Sequence, residues 1–201
     1  MLTYQNNSNT VMIVAHEIYG INDHIKDFCE KISAQGIDVL CPNLLGREPF
    51  SYDQEELAYQ YFFKQVGLPE AASRLIELLR TTRDHYQYIY ITGFSVGATI
   101  AWLCCAEPGL CDGVIGFYGS RIRDYLHIEP AVPVLLLFPS EEKSFEVSTL
   151  VNLLNKHPLV NAKIYPGKHG FADPYSEKYC AQAAQQAYGE MFSFLSLKQH
   201  K

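Results

Sequence analysis

The chain has 201 residues, 48% of them hydrophobic and 19% charged, with a formal net charge of −6. Those proportions exclude a disordered polymer. An acidic balance with no basic run excludes nucleic acid as the expected partner, and no apolar stretch is long enough to span a bilayer.

Val11-Met12-Ile13-Val14-Ala15 is an unbroken apolar run, as expected of a strand buried on both faces. Asn22 is placed to cap a helix in which Ile25, Phe28, Cys29 and Ile32 recur at helical spacing, with Gly36 as its stop. Residues 37–41 form a second short strand ended by Pro42, so the segment reads as a parallel strand–helix–strand unit. Residues 43–67 are aromatic and acidic, and read as a loop followed by a helix from about Asp53. The aromatic stretch 50–63 either walls a pocket or packs on the sheet. Pro69 suits the first turn of another helix, with Ala72, Leu75, Leu78 and Leu79 as its apolar face.

A strand over residues 88–92 then leads into Gly93-Phe94-Ser95-Val96-Gly97 and a helix-like run that stops near Glu107. Residues 114–118 and 134–138 are further strands. A helix carrying Val147, Leu150, Val151 and Leu154 follows, then a last strand over 162–165 and a final helix from about Ser176. The expectation is one domain over residues 1–201. It has an α/β fold, with a mostly parallel sheet of about six strands flanked by helices on both faces and ligands at the C-terminal strand ends.

The six cysteines form no Cys-x-x-Cys pair and mostly sit in apolar runs, so they read as buried free thiols. Residues 1–10 are polar and have no secretory pattern, which points to a cytoplasmic protein. His16-Glu17 begins a zinc-protease pattern, but position 20 is Gly, so no metal is expected there.

The chemistry centres on Ser95. A serine hydroxyl is a poor nucleophile until a sharp strand-to-helix turn exposes it and aims the next N–H at the developing negative charge. Glycines at 93 and 97 suit the close approach that such a turn needs. A base must follow, and His169 lies in a loop after the last strand, on the same edge as Ser95. His85, His157 and His200 read as surface residues near helix ends. The orienting acid belongs after strand 134–138, where Glu141 and Glu142 stand. Glu142 is preferred, Glu141 is the alternative, and a third reading leaves both solvated. Ile18, after the first strand, and Val96 are the expected oxyanion donors. Glu17 beside them is odd, because a carboxylate there opposes the charge the site must stabilise. It is either turned into a structural hydrogen bond or has a regulatory or substrate-contacting role.

These residues resemble the dienelactone hydrolase family, a compact branch of the α/β-hydrolase fold. The likeness rests on Glu17-Ile18-Tyr19-Gly20-Ile21-Asn22, Pro42-Asn43-Leu44-Leu45-Gly46-Arg47, the turn at Gly93–Ala98, and Lys168-His169-Gly170-Phe171. It spans about residues 11–198. It implies Ser95 as nucleophile, His169 as proton shuttle and Glu17 as the family glutamate that contacts the resting nucleophile in the cysteine members. This chain departs from the family pattern in having Ser95 for cysteine, glutamates for the aspartate, and Asp173 where dienelactone-binding enzymes have an arginine. An aspartate there repels a substrate carboxylate. The expected function is therefore a cytoplasmic serine hydrolase for a small uncharged ester, thioester or lactone, without cofactor or metal. A catalytically decayed binding or regulatory protein is the alternative.

Overall fold

The computed structural model describes residues 1–196. Seven strands form one sheet in the order β1-β3-β2-β4-β5-β6-β7. They are β1 (Leu2–Tyr4), β2 (Thr10–Ala15), β3 (Asp38–Cys41), β4 (Tyr88–Phe94), β5 (Gly113–Phe117), β6 (Val134–Glu141) and β7 (Val160–Lys168). All neighbours pair in parallel except β1, which lies antiparallel on β3. The helices are α1 (Asp23–Ser33), α2 (Glu55–Tyr61), α3 (Leu68–Arg83), α4 (Val96–Cys104), α5 (Val147–Leu154) and α6 (Ala181–Ser196).

Alternation along each strand builds two cores from one sheet. In β2, Val11 and Ile13 face a cluster containing Leu75 and Leu79 of α3, Ile100 of α4 and Leu150 of α5. Met12 and Val14 face the other cluster, with Ile25 and Phe28 of α1 and Ala184 and Met191 of α6. Every residue of β2 is buried, which is why its sequence is apolar on both faces. Asn22 caps α1 as expected, its Oδ1 accepting from the Ile25 N–H at 3.1 Å.

Several boundaries differ from the sequence expectation. The sheet has a seventh strand, β1, a three-residue edge piece whose pattern is too short to show a period. The helix expected from Asp53 begins at Glu55, after a single tight turn at Tyr52–Gln54, and widens into a π-helical turn at Phe62–Val66. There the Gly67 N–H reaches back to the Phe62 carbonyl at 2.7 Å, with Gly67 at φ +76°. Helix α4 ends at Cys104, short of Glu107. The last helix starts at Ala181, because residues from Ser176 onward are spent on turns, with the Ser176 N–H on the Asp173 carbonyl and the Tyr179 N–H on the Ser176 carbonyl. Strands β6 and β7 run three residues further than expected, past Phe138 and Tyr165, and so carry the ladder up to the loops that matter.

Cys29, Cys41, Cys104, Cys105 and Cys111 are buried and free, and Cys180 is half-buried. Burial pushes the Cys104 and Cys105 thiols up, away from thiolate chemistry. Among the described residues no helix is long and apolar enough to cross a membrane.

The tightest point of the fold is where β4 turns into α4. A Cβ on Gly93 would lie 2.1 Å from the Gly97 carbonyl oxygen, and one on Gly97 would lie 2.0 Å from that of Ala15. No side-chain rotation relieves a clash with backbone. Gly97→Ala is therefore expected to destabilise the chain by about 3 kcal/mol or to prevent folding. Gly36→Ala meets nothing within 4 Å but sits at φ +77°, so it should cost only about 1 kcal/mol. Urea unfolding of the two variants checks the contrast.

Candidate active site

Ser95 sits between β4 and α4 at φ +54° and ψ −115°. A positive φ at a non-glycine residue is strained, and it persists here because the surroundings enforce it. The glycine crossing described above is one constraint. The other is the Ser95 N–H, which donates to the Phe117 carbonyl of β5 at 2.9 Å. The result is a half-buried hydroxyl presented at the C-terminal rim of the sheet. Val96 occupies the first turn of α4, where helix N–H groups have no carbonyl partner inside the helix.

His169 follows β7 directly and comes to Ser95 from the side. Its Nε2 lies 2.9 Å from Ser95 Oγ. Its Nδ1 lies 2.7 Å from Glu142 Oε1, with the Glu142 side chain 8% exposed and the imidazole 32% exposed. Glu141 goes elsewhere. It is the last residue of β6, pairs with Lys168 across an irregularity in the ladder, and is exposed. One step past the strand end separates the carboxylate that meets the imidazole from the one that does not. His85 is exposed, and His157 is half-buried with its Nε2 3.1 Å from Glu129. His200 lies outside the described residues.

The loop after β2 supplies the opposite wall. Ile18 lines a small cavity of about 70 Å³ together with Glu17, Tyr19, Tyr52, Ser95 and His169. A broader cavity of about 550 Å³ also borders His169, lined by Tyr59, Glu142, Lys143, Lys168 and Lys178. The aromatic stretch thus serves both purposes weighed from the sequence. Tyr52 and Tyr59 line cavities, while Phe50 and Phe62 are buried in the core.

Glu17 is 4% exposed, and its carboxylate faces His24 of α1, with Oε2 3.8 Å from the imidazole Nδ1. Asp173 Oδ2 lies 3.7 Å from the same nitrogen and accepts from the Tyr52 hydroxyl at 2.6 Å, while its Oδ1 accepts from the Tyr175 N–H at 2.8 Å. Burial raises the Asp173 carboxyl above its ordinary value, and the nearby Glu17 charge adds to the rise. Glu17, His24 and Asp173 offer ligand atoms within 4.8 Å of one another, the one such buried group of possible metal ligands among the described residues.

Sequence reasoning missed His24 and the role of His16. His16 is fully buried, and the Leu44 N–H donates to its Nε2 at 2.9 Å. That assigns the ring proton to Nδ1, which donates to the Glu17 carbonyl at 2.7 Å. The ring thus ties the loop carrying Ile18 to the 42–47 segment. The only available signal was the position of both histidines beside family-like residues.

The profile of the dienelactone hydrolase family matches residues 1–199. An uncharacterised protein of Bacillus subtilis, YczH, is 43% identical over 169 residues, covering 83% of this chain and 82% of its own. The carboxymethylenebutenolidase of Pseudomonas putida is 26% identical over 208 residues, covering 95% and 87%. The structure of Est1E from Butyrivibrio proteoclasticus with ferulic acid bound superposes with a TM-score of 0.72 at 14% identity, covering 100% and 96% of the two chains.

Burial lowers the His16 pKa from 6.5 to about 4, so the fold holds the ring neutral where the unfolded chain binds a proton. The stability this provides is complete above about pH 6.5 and is lost as pH falls toward about 4. Over that window wild type should lose about 2 kcal/mol more than His16→Gln, read by urea unfolding at pH 7 and pH 4.5.

Proposed function

The chain belongs to the dienelactone hydrolase family, and on that footing we propose that it cleaves a small uncharged ester, thioester or lactone through an acyl-Ser95 intermediate. The observation that carries this reading is the unbroken path Ser95 Oγ–His169 Nε2 at 2.9 Å and His169 Nδ1–Glu142 Oε1 at 2.7 Å. His169 Nε2 takes the Ser95 proton as Oγ bonds to the substrate carbonyl carbon. The carbonyl oxygen becomes an oxyanion, which accepts hydrogen bonds from the Ile18 and Val96 N–H groups. As the tetrahedral carbon collapses, the bond to the leaving oxygen or sulfur breaks and His169 returns the proton to it. A water then gives its proton to His169, attacks the acyl carbon, and Ser95 leaves with the proton restored. Glu142 keeps the imidazole in the tautomer that has Nε2 free.

The two cavities divide the substrate between them. The space of about 70 Å³ suits a short acyl group, and the larger one suits the leaving group. Buried Glu17 and Asp173 beside the smaller cavity disfavour an anionic acyl group, the ligand that an arginine at position 173 would have drawn in. A cytoplasmic setting suits the free thiols.

Fluorophosphonate labelling of the wild-type chain, abolished in Ser95→Ala, is the expected result. A chain that no serine-directed probe labels would instead be a decayed binding protein. Glu142→Gln should lower kcat by about 100-fold or more, and Glu141→Gln by no more than about two-fold. With p-nitrophenyl esters, kcat/KM should fall by about ten-fold from acetate to octanoate, because the longer acyl chain has no room.

A further inference from the structure

The oxyanion loop presents a problem that the triad leaves unsolved. Glu17 immediately precedes Ile18, so a buried carboxylate stands beside the N–H that must receive a developing negative charge. A bare charge near that oxygen would oppose its formation, and more strongly in a protein interior than in water. The means of removing that penalty lies on the far side of Glu17, in α1.

His24 is 1% exposed, and neither ring nitrogen has a hydrogen-bond partner. Its Nδ1 stands 3.8 Å from Glu17 Oε2 and 3.7 Å from Asp173 Oδ2. Packing holds the ring there. It lies edge-on to Phe94, the residue before Ser95, with centroids 4.8 Å apart and planes at 73°. The cap of α1 belongs to the same structure, since Asn22 Nδ2 donates to the Tyr52 hydroxyl at 3.0 Å and that hydroxyl donates to Asp173. Burial drives the Glu17 carboxyl upward, but the facing His24 imidazole, with His169 and Tyr118, offsets it, and the net direction is down. Asp173, His16, His169, Tyr19, Tyr52, Tyr118 and Tyr188 are further titratable groups that interact with Glu17.

Resting on the acyl-Ser95 reading, we propose that His24 is a positioning residue. It draws the Glu17 carboxylate toward α1, holds it off the oxyanion, and leaves the Ile18 and Val96 N–H groups to the substrate. A buried carboxylate without such a partner is costly, so the pair belongs to the fold as well as to the reaction.

The test is a double-substitution cycle in the full chain, using Glu17→Gln, His24→Asn and both together. Thermal unfolding at pH 7 needs no catalysis. His24→Asn should lower the midpoint by about 5 °C or more, and adding Glu17→Gln should return at least half of that loss. If His24→Asn alone does not fold, folding of the double variant supports the pairing and its failure overturns it. The second measurement is the rate of Ser95 labelling by a fluorophosphonate. His24→Asn should slow it about ten-fold or more at pH 8, with the deficit growing as pH rises and the unpartnered Glu17 ionises. The double variant should recover to within about three-fold of wild type, a rescue that lost packing alone does not give. Additive midpoints, or wild-type labelling in His24→Asn, overturn the proposal. So does one equivalent of zinc taken up in equilibrium dialysis by wild type and not by His24→Asn, which would make Glu17, His24 and Asp173 a metal site. A wild-type chain that resists all labelling defeats the serine chemistry, while the coupling of midpoints still decides the pairing.

Discussion

Everything at the rim of this sheet depends on backbone touching backbone where β4 becomes α4. Gly97 lies so close to the Ala15 carbonyl, and Gly93 to Gly97, that no side chain fits between them. The consequence reaches beyond the nucleophile. Ala15 ends β2, and the loop with Glu17 and Ile18 begins one residue later. The strained serine and the wall opposite it are therefore built on a single contact, and their separation is set by main-chain atoms, which do not relax the way side chains do.

Around that contact the protein buries more polarity than a small hydrolytic site requires. His16 is kept neutral and works as a bracket between two loops. Asp173 is occupied by Tyr52 and the Tyr175 N–H. Glu17 looks toward α1. Each group has a nearby partner, as the low dielectric demands. The floor of the pocket is thereby tied together by one helix, the tight turn at Tyr52–Gln54 and three loops.

Much of this was legible in the sequence, for reasons that differ by residue. Strands buried on both faces announce themselves as apolar runs, and six of the seven strands were read, the half-exposed β7 among them. The missing one, β1, is an edge of three residues with a half-exposed pattern. Asn22 was readable because capping is local. The turn at Ser95 was readable because glycine spacing reports a backbone constraint directly. The approach of His169 was readable because parallel strands deliver their following loops to one rim. The preference for Glu142 over Glu141 depended on how far β6 runs, and boundaries of that kind are set by ladder pairing with β7, which is a distant part of the chain. His24 carried no signal beyond its place beside the Glu17–Asn22 segment. On a helix it reads as one more inward position, and its meeting with Glu17 and Asp173 joins parts of the chain about 150 residues apart. The start of α6 at Ala181 was masked by the turns on Asp173, which no local propensity encodes.

The imidazole and its carboxylate hang from β7 and β6, neighbours at one edge of the sheet, whereas the hydroxyl belongs to β4 in the middle. The two links therefore differ in kind. Nδ1 to Oε1 is internal to the edge pair, and Nε2 to Oγ spans from that pair to the sheet interior. Breathing of the outer strands would carry base and acid away together, like a cartridge sliding in its slot, and lengthen only the link to serine.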